Sequence, residues 1–168
     1  KPFVAIQDGI VMGGGIGLSA HVQGGTRIVT ERSQLAMPET SIGLIPDVGG
    51  TWLLANAPGA FGAYLGLTGE RMRGAGTIFS RFADVFVPSA KLDALRSALC
   101  AATANSVRDV IANFAEPAPH SNLADRADIV SRPTSANRSS SCGSRAKLLT
   151  TLMPDRISYT RSTSLDSS

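Results

Sequence analysis

The chain has 168 residues, of which 43% are hydrophobic; this suits one domain with a real core and excludes disorder throughout. Its formal charge of +3 lies wholly in residues 120–168, where seven Lys/Arg meet four Asp/Glu, while residues 1–119 carry nine of each. The arginines are scattered among serines rather than gathered in a basic stripe with aromatics, which argues against nucleic acid as a partner, and no apolar run reaches the roughly 18 residues of a membrane span.

In chain order, residues 2–7 hold Phe3, Val4, Ala5 and Ile6 in succession, the pattern of a short strand buried on both faces and ended by Asp8-Gly9. The cluster Met12-Gly13-Gly14-Gly15-Ile16-Gly17 follows, and residues 15–22 permit a helix, giving a strand, a glycine-rich turn and a helix. Two more short strands are expected at 26–30 and 35–37. Gly49-Gly50 opens a helix over 51–55, closed by Pro58-Gly59, and 61–67 is helical despite its glycines. Residues 82–87 read as a strand. Pro88-Ser89 starts a helix with Leu92, Leu95 and Leu99 on one face, and 105–114 is amphipathic through Val107, Val110, Ile111 and Phe114. Alternating strands and helices predict an α/β layered domain.

After Pro117-Ala118-Pro119 the character changes. Residues 131–168 contain eleven Ser, five Thr and five Arg without a sustained period, and only Lys147 to Met153 offers a brief apolar patch. Such a segment buries too little surface to offset its ordering entropy, so a domain over 1–119 and a disordered tail over 120–168 are expected; a shifted reading frame would also produce the change. Cys100 and Cys142 fit no disulfide framework and no Cys-x-x-Cys or Cys/His metal spacing, and read as free thiols of a reducing compartment. Lys1-Pro2-Phe3 leads into a strand rather than a signal peptide, so a cytoplasmic location is expected; the apolar start without Met reads as that of a fragment.

Two segments carry chemistry. Gly13 to Gly15 let the backbone approach a ligand closely at a helix start, suiting an oxyanion or a phosphate, although the same glycines would serve close helix and strand packing. No Gly-Lys-Ser/Thr follows, and no dinucleotide fingerprint is present. Ser19 beside His21 suggests a nucleophile and base, but residues two apart on a helix diverge, and a polar helix face is the better reading. Glu39 lies between Met37-Pro38 and an apolar run reaching Pro46, a setting in which a carboxylate needs a partner or a task. Asp47, eight residues on and just before Val48-Gly49-Gly50, reads equally as a helix cap.

At these residues the chain resembles the crotonase, or enoyl-CoA hydratase/isomerase, superfamily, and within it the 3-hydroxyisobutyryl-CoA hydrolase group. The resemblance rests on Asp8 to Ser19, on Ala36-Met37-Pro38-Glu39-Thr40 and on Gly43 to Gly50, with Leu67-Thr68-Gly69 and Gly74-Ala75 extending it to about residue 116. It implies a partial crotonase-like fold of layered ββα units followed by helices. It also implies that the Gly14 amide is one of two donors to a thioester oxyanion, that Gly13 lines the substrate site beside it, that Glu39 is the catalytic carboxylate, and that Asp47 sits in the substrate pocket. Where hydratases carry a second Glu this chain has Gly17, which favours hydrolase over hydratase. The stretch from His21 to Arg27 exceeds the family pattern by about two residues, Gly24-Gly25, and the family's N-terminal half, with the second oxyanion amide, is not in this sequence.

The implied activity is thioester hydrolysis of a 3-hydroxyacyl-CoA, 3-hydroxyisobutyryl-CoA of valine breakdown above others, with CoA arriving as part of the substrate and no metal or separate cofactor. A hydratase or isomerase, or a catalytically silent fragment, are the competing readings. Acyl-CoA and further copies of the chain are the implied partners.

Overall fold

Asp8 and Gly9 end strand β1 (Val4–Gln7) and turn the chain into β2 (Ile10–Met12); Gly9 makes that corner with φ 88°, a conformation that disfavours a side chain. The computed structural model describes residues 2–22 and 25–131. Helix α1 (Gly14–Ser19) then returns the chain to β3 (Thr26–Val29), which lies parallel to β1, and β4 (Gln34–Ala36) lies parallel to β2. Each strand pair thus gives one strand to each of two sheets.

The two corners are pinned together. Asp8 accepts hydrogen bonds from the Thr30 hydroxyl at 2.6 Å and from Arg32, while the Ser33 hydroxyl donates to the Gln7 carbonyl at 2.5 Å. These bonds satisfy groups in a bend where ladder bonding stops.

A turn of 3₁₀ helix (Glu39–Ile42) leaves β4, and α2 (Gly50–Ala55) and α3 (Phe61–Thr68) follow. β5 (Met72–Arg73) runs antiparallel to β4, and α4 (Gly74–Phe79) leads to β6 (Val85–Phe86), parallel to β3. A second 3₁₀ turn (Ser89–Lys91), α5 (Leu92–Ala101) and α6 (Val107–Phe114) complete the expected helices. The expected layered α/β architecture is therefore present, with strand orders β1-β3-β6 and β2-β4-β5.

Two apolar clusters hold it. Ile28, Val87, Leu92, Leu95 and Ile111 pack with Val4 and Ile6 on one side of β1 and β3, and Val29, on the opposite face of β3, joins Ile16, Leu35, Met37, Leu53, Phe61 and Phe82. This double cover is what a parallel sheet requires.

Several expectations change. The strand expected over 82–87 is only Val85–Phe86, because Phe82 and Ala83 are buried by packing rather than by ladder pairing. The domain does not stop at 119: the compact unit runs to Arg132, Leu123 is buried in the larger cluster, and a 3₁₀ turn (Ala124–Arg126) and α7 (Ala127–Val130) set Ala127 and Val130 against it. Arg126 donates to Glu70 at 2.8 Å and to the Tyr64 hydroxyl, fastening this segment to α3. The apolar stripe of residues 123, 127 and 130 is too short to stand out from its polar neighbours. Cys142, the patch from Lys147 to Met153 and the rest of the expected tail after Ser131 lie outside the described residues, as does Gly24; Cys100 is exposed and free.

Candidate active site

The site forms where β2 and β4 end. In register Met12 pairs with Ala36, so the next residues of each strand, Gly13-Gly14 and Met37-Pro38-Glu39, emerge side by side. Loops at the carboxyl ends of parallel strands are where α/β sheets place ligands.

Gly13 is the N-cap of α1 with φ 48° and ψ −118°, a backbone region closed to side chains. Its carbonyl accepts the amides of Ile16 and Gly17 at 2.9 and 3.2 Å, which starts the helix. Gly14, the first helical residue, is exposed, and its amide lies outside the intrahelical ladder, which leaves it for a ligand.

Glu39 is buried at 6% exposure at the start of its 3₁₀ turn. Its side chain turns toward Gly13: a methyl group there would come within 3.2 Å of Glu39 Oε1. Glu39 Oε2 is buried without a hydrogen-bond partner among the described residues, an arrangement that costs folding energy and that functional carboxylates carry. The structure thus joins Gly13, Gly14 and Glu39 in one place.

Asp47 is exposed on the loop before α2. The cap reading fails: the N-cap of α2 is Gly49, with φ 79°, and no side chain caps that helix. Asp47 contributes a backbone bond instead, its carbonyl accepting the Gly50 amide at 2.6 Å. Its neighbour Val48 lies on Gly17, one turn along α1 from Gly13, so the loop runs beside the helix that presents Gly14.

Ser19 and His21 do not form a nucleophile and base. The Ser19 hydroxyl donates to the Gly15 carbonyl at 2.7 Å and accepts from Gln7 Nε2 at 2.8 Å. Helix α1 ends at Ser19, so His21 is not on a helix face; its ring meets Gly49 and the indole of Trp52, with centroids 5.8 Å apart. Sequence reasoning passed over this His21 contact and Val48, since both depend on pairings about thirty residues apart.

The segment that follows Glu39 and contains Asp47 exposes Ile42, Leu44, Ile45, Val48 and Trp52. A separate cleft of about 310 Å³, lined by Arg71, Arg73, Gly74, His120, Ser121 and Arg126, contains none of the site residues. Among the described residues no group of three His, Cys, Asp or Glu could hold a metal ion, and no helix is long and apolar enough to cross a membrane.

A glycine amide at a helix start thus lies beside a buried carboxylate at the ends of two parallel strands, on a layered α/β fold. Residues 1–153 match the family described as enoyl-CoA hydratase/isomerase, and the chain belongs to that family. A probable 3-hydroxyisobutyryl-CoA hydrolase 3 of Arabidopsis thaliana is 53% identical over 100 residues, 60% of this chain and 26% of that protein. A mitochondrial 3-hydroxyisobutyryl-CoA hydrolase of Rattus norvegicus is 50% identical over 110 residues, 66% of this chain and 28% of that protein. The chain therefore spans about a quarter of the length of these relatives.

Among solved structures, a carnitinyl-CoA dehydratase from Mycobacterium thermoresistibile matches 90% of this chain and 46% of its own, with TM-score 0.74 and 39% identity. An enoyl-CoA hydratase from Rhodobacter sphaeroides matches 80% of this chain and 37% of its own, with TM-score 0.70 and 45% identity.

Proposed function

We propose that the protein carrying this chain hydrolyses a 3-hydroxyacyl-CoA thioester, with 3-hydroxyisobutyryl-CoA as the substrate. The observation that carries the reading is the packing at Gly17: a glycine against Val48 stands where the family resemblance implies a second Glu in hydratases, and Glu39 is the buried carboxylate beside Gly13 and Gly14. The hydrolase names of the relatives, at about 50% identity, support it.

In this reading the Gly14 amide donates to the thioester oxygen as negative charge develops there, together with a second donor from outside this chain. A donor so placed is worth about 3 kcal/mol. Glu39 either attacks the carbonyl carbon, giving an acyl-enzyme that water then opens, or removes a proton from the attacking water. In both courses a C–O bond forms, the C–S bond breaks and the CoA thiolate leaves. Asp47 orients the 3-hydroxyacyl group or passes a proton. The apolar residues from Ile42 to Trp52 offer the acyl portion a surface.

The test is thiol release from 3-hydroxyisobutyryl-CoA, measured on this chain and on one extended to the length of its relatives. Glu39→Gln is expected to lower turnover of the extended protein at least a hundredfold, and wild-type turnover in that variant would remove Glu39 from the reaction. Trapping an acyl group on Glu39 separates attack from base catalysis. The dehydratase and hydratase among the structural neighbours favour a second reading, addition of water to an enoyl-CoA. A change in crotonyl absorbance without release of CoA is its signature.

A further inference from the structure

Two contacts join the loop of residues 46–49 to α1 and the residues after it. A methyl group at Gly17 would come within 2.7 Å of Val48 Cβ and 3.0 Å of its Cγ2, and one at Gly49 within 2.6 Å of His21 Nε2. At the far end of the loop, a methyl group at Gly50 would come within 2.2 Å of Met37 Cε, and Met37 stands two residues before Glu39. The loop is therefore seated, through two glycine sockets and an inserted ring, on the helix that presents Gly14 and on the strand exit that presents Glu39.

The backbone of the loop shows what this seating overcomes. Val48 has φ 44°, in the left-handed region that a β-branched residue rarely enters, and Gly49 follows at φ 79°. Such strain persists only where surrounding structure over-determines it. His21 adds a second local cost, because Nε2 is buried without a hydrogen-bond partner among the described residues while its ring packs on Trp52. Neither cost serves the stability of α1, which ends at Ser19. Both fall at the contact that fixes the residue on each side of Val48, and one of these is Asp47.

We propose that Gly17, Val48 and His21 are positioning residues that hold Asp47 in register with the Gly14 amide and Glu39. This rests on the hydrolase reading for its catalytic consequence, but the seating itself is a property of the chain. Gly17 is then more than the loss of a second carboxylate: it is the socket for Val48. His21 acts through its ring, filling the space between Gly49 and Trp52, and not as a base.

Hydrogen exchange on the 168-residue chain reads the seating directly. Gly17→Ala is expected to speed exchange of the Gly50 amide, which donates to the Asp47 carbonyl at 2.6 Å, at least tenfold while the amides of Val11 and Leu35 hold, since local opening is reported segment by segment. Val48→Gly added to Gly17→Ala removes the two nearest colliding atoms, Cβ and Cγ2, and the strained residue together, lets the new methyl take the place of the valine side chain, and restores slow exchange even if the single variant folds poorly. His21→Ala is expected to loosen the same segment, and His21→Phe to leave it seated.

In the extended enzyme Gly17→Ala lowers kcat with KM little changed, and adds nothing further to Asp47→Asn, the mark of two residues acting as a unit. Unchanged exchange in Gly17→Ala, failure of Val48→Gly to restore it, or full additivity with Asp47→Asn overturns the proposal. Wild-type turnover in Glu39→Gln would instead overturn the hydrolase reading and leave the exchange results standing.

Discussion

Replacing Gly13 and, separately, Gly14 with alanine tests the centre of the site, because the same added methyl group meets opposite surroundings at adjacent positions. At Gly13 the backbone sits at φ 48° and ψ −118°, where an alanine is strained by about 1–3 kcal/mol. The new Cβ would also stand 3.2 Å from Glu39 Oε1, so the carboxylate has to shift by a few tenths of an ångström inside a packed neighbourhood. Together these predict a loss of about 2–4 kcal/mol, or a fall in Tm on the order of 10 °C for a domain of this size.

At Gly14 no atom lies within 4 Å of the new Cβ and φ is not positive, so alanine keeps stability within about 0.5 kcal/mol, helped by its better helix propensity. Thermal and urea unfolding followed by circular dichroism compares the two, and turnover of the extended enzyme is read beside it. Gly13→Ala loses stability and turnover together. Gly14→Ala keeps the fold and loses turnover, because its methyl occupies the approach to the amide. A Gly13→Ala protein within 0.5 kcal/mol of the parent, or a Gly14→Ala protein as unstable as Gly13→Ala, would refute this account of the site.

Gly62→Ala places a Cβ 1.9 Å from the Leu54 carbonyl oxygen, so α2 and α3 have to move apart; a loss of about 3 kcal/mol or more in urea unfolding is expected. Leu95→Ala empties a fully buried position beneath α5 and costs about 2–5 kcal/mol by the same measurement, with little effect at the site, which belongs to the other apolar cluster. Asp8 is held below its ordinary pKa of 3.8, chiefly by the hydrogen bond from Arg32, against the opposing effect of burial and with help from Thr30. A carboxylate lowered on folding stabilises above its unfolded pKa and ceases to do so as pH falls through the folded value. Asp8→Asn is therefore destabilising at pH 6–7 and loses that penalty as urea midpoints are followed down below pH 4.

The parts legible in the sequence are those written by local pattern. The apolar run of β1, the heptad-like spacing of α5 and α6, and the glycine cluster opening α1 all have periodicities or turn residues that need no distant partner. α4 was not legible, because Gly74 and Gly76 are poor helix formers chosen for close approach: a methyl group at Gly74 would lie 2.5 Å from the Thr30 carbonyl oxygen, and one at Gly76 would touch Leu123. The same packing explains why the domain outruns Pro119, since Leu123 is buried only by virtue of a surface that α4 and α3 build together. At the site, Glu39 was legible as an expensive carboxylate in apolar surroundings. Asp47 as a cap was a reasonable inference from its place before a helix, but the chain spends two left-handed residues, Val48 and Gly49, before α2 begins.

Those two residues bear on how one fold supports both hydration and hydrolysis of acyl thioesters. If the chemistries differed only by a carboxylate at position 17, Gly17→Glu would supply the missing hydratase group. The structure makes that substitution a steric problem first, since even a methyl group at Gly17 collides with Val48 Cβ and approaches its carbonyl oxygen to 3.2 Å. A glutamate there has to expel the loop, and expelling the loop displaces Asp47. Gain of one carboxylate and loss of the other are then a single event, linked through Val48. Under the proposed hydrolase reading, the choice of reaction then follows from the path of residues 46–49 along α1, which Gly17 admits by leaving room for Val48.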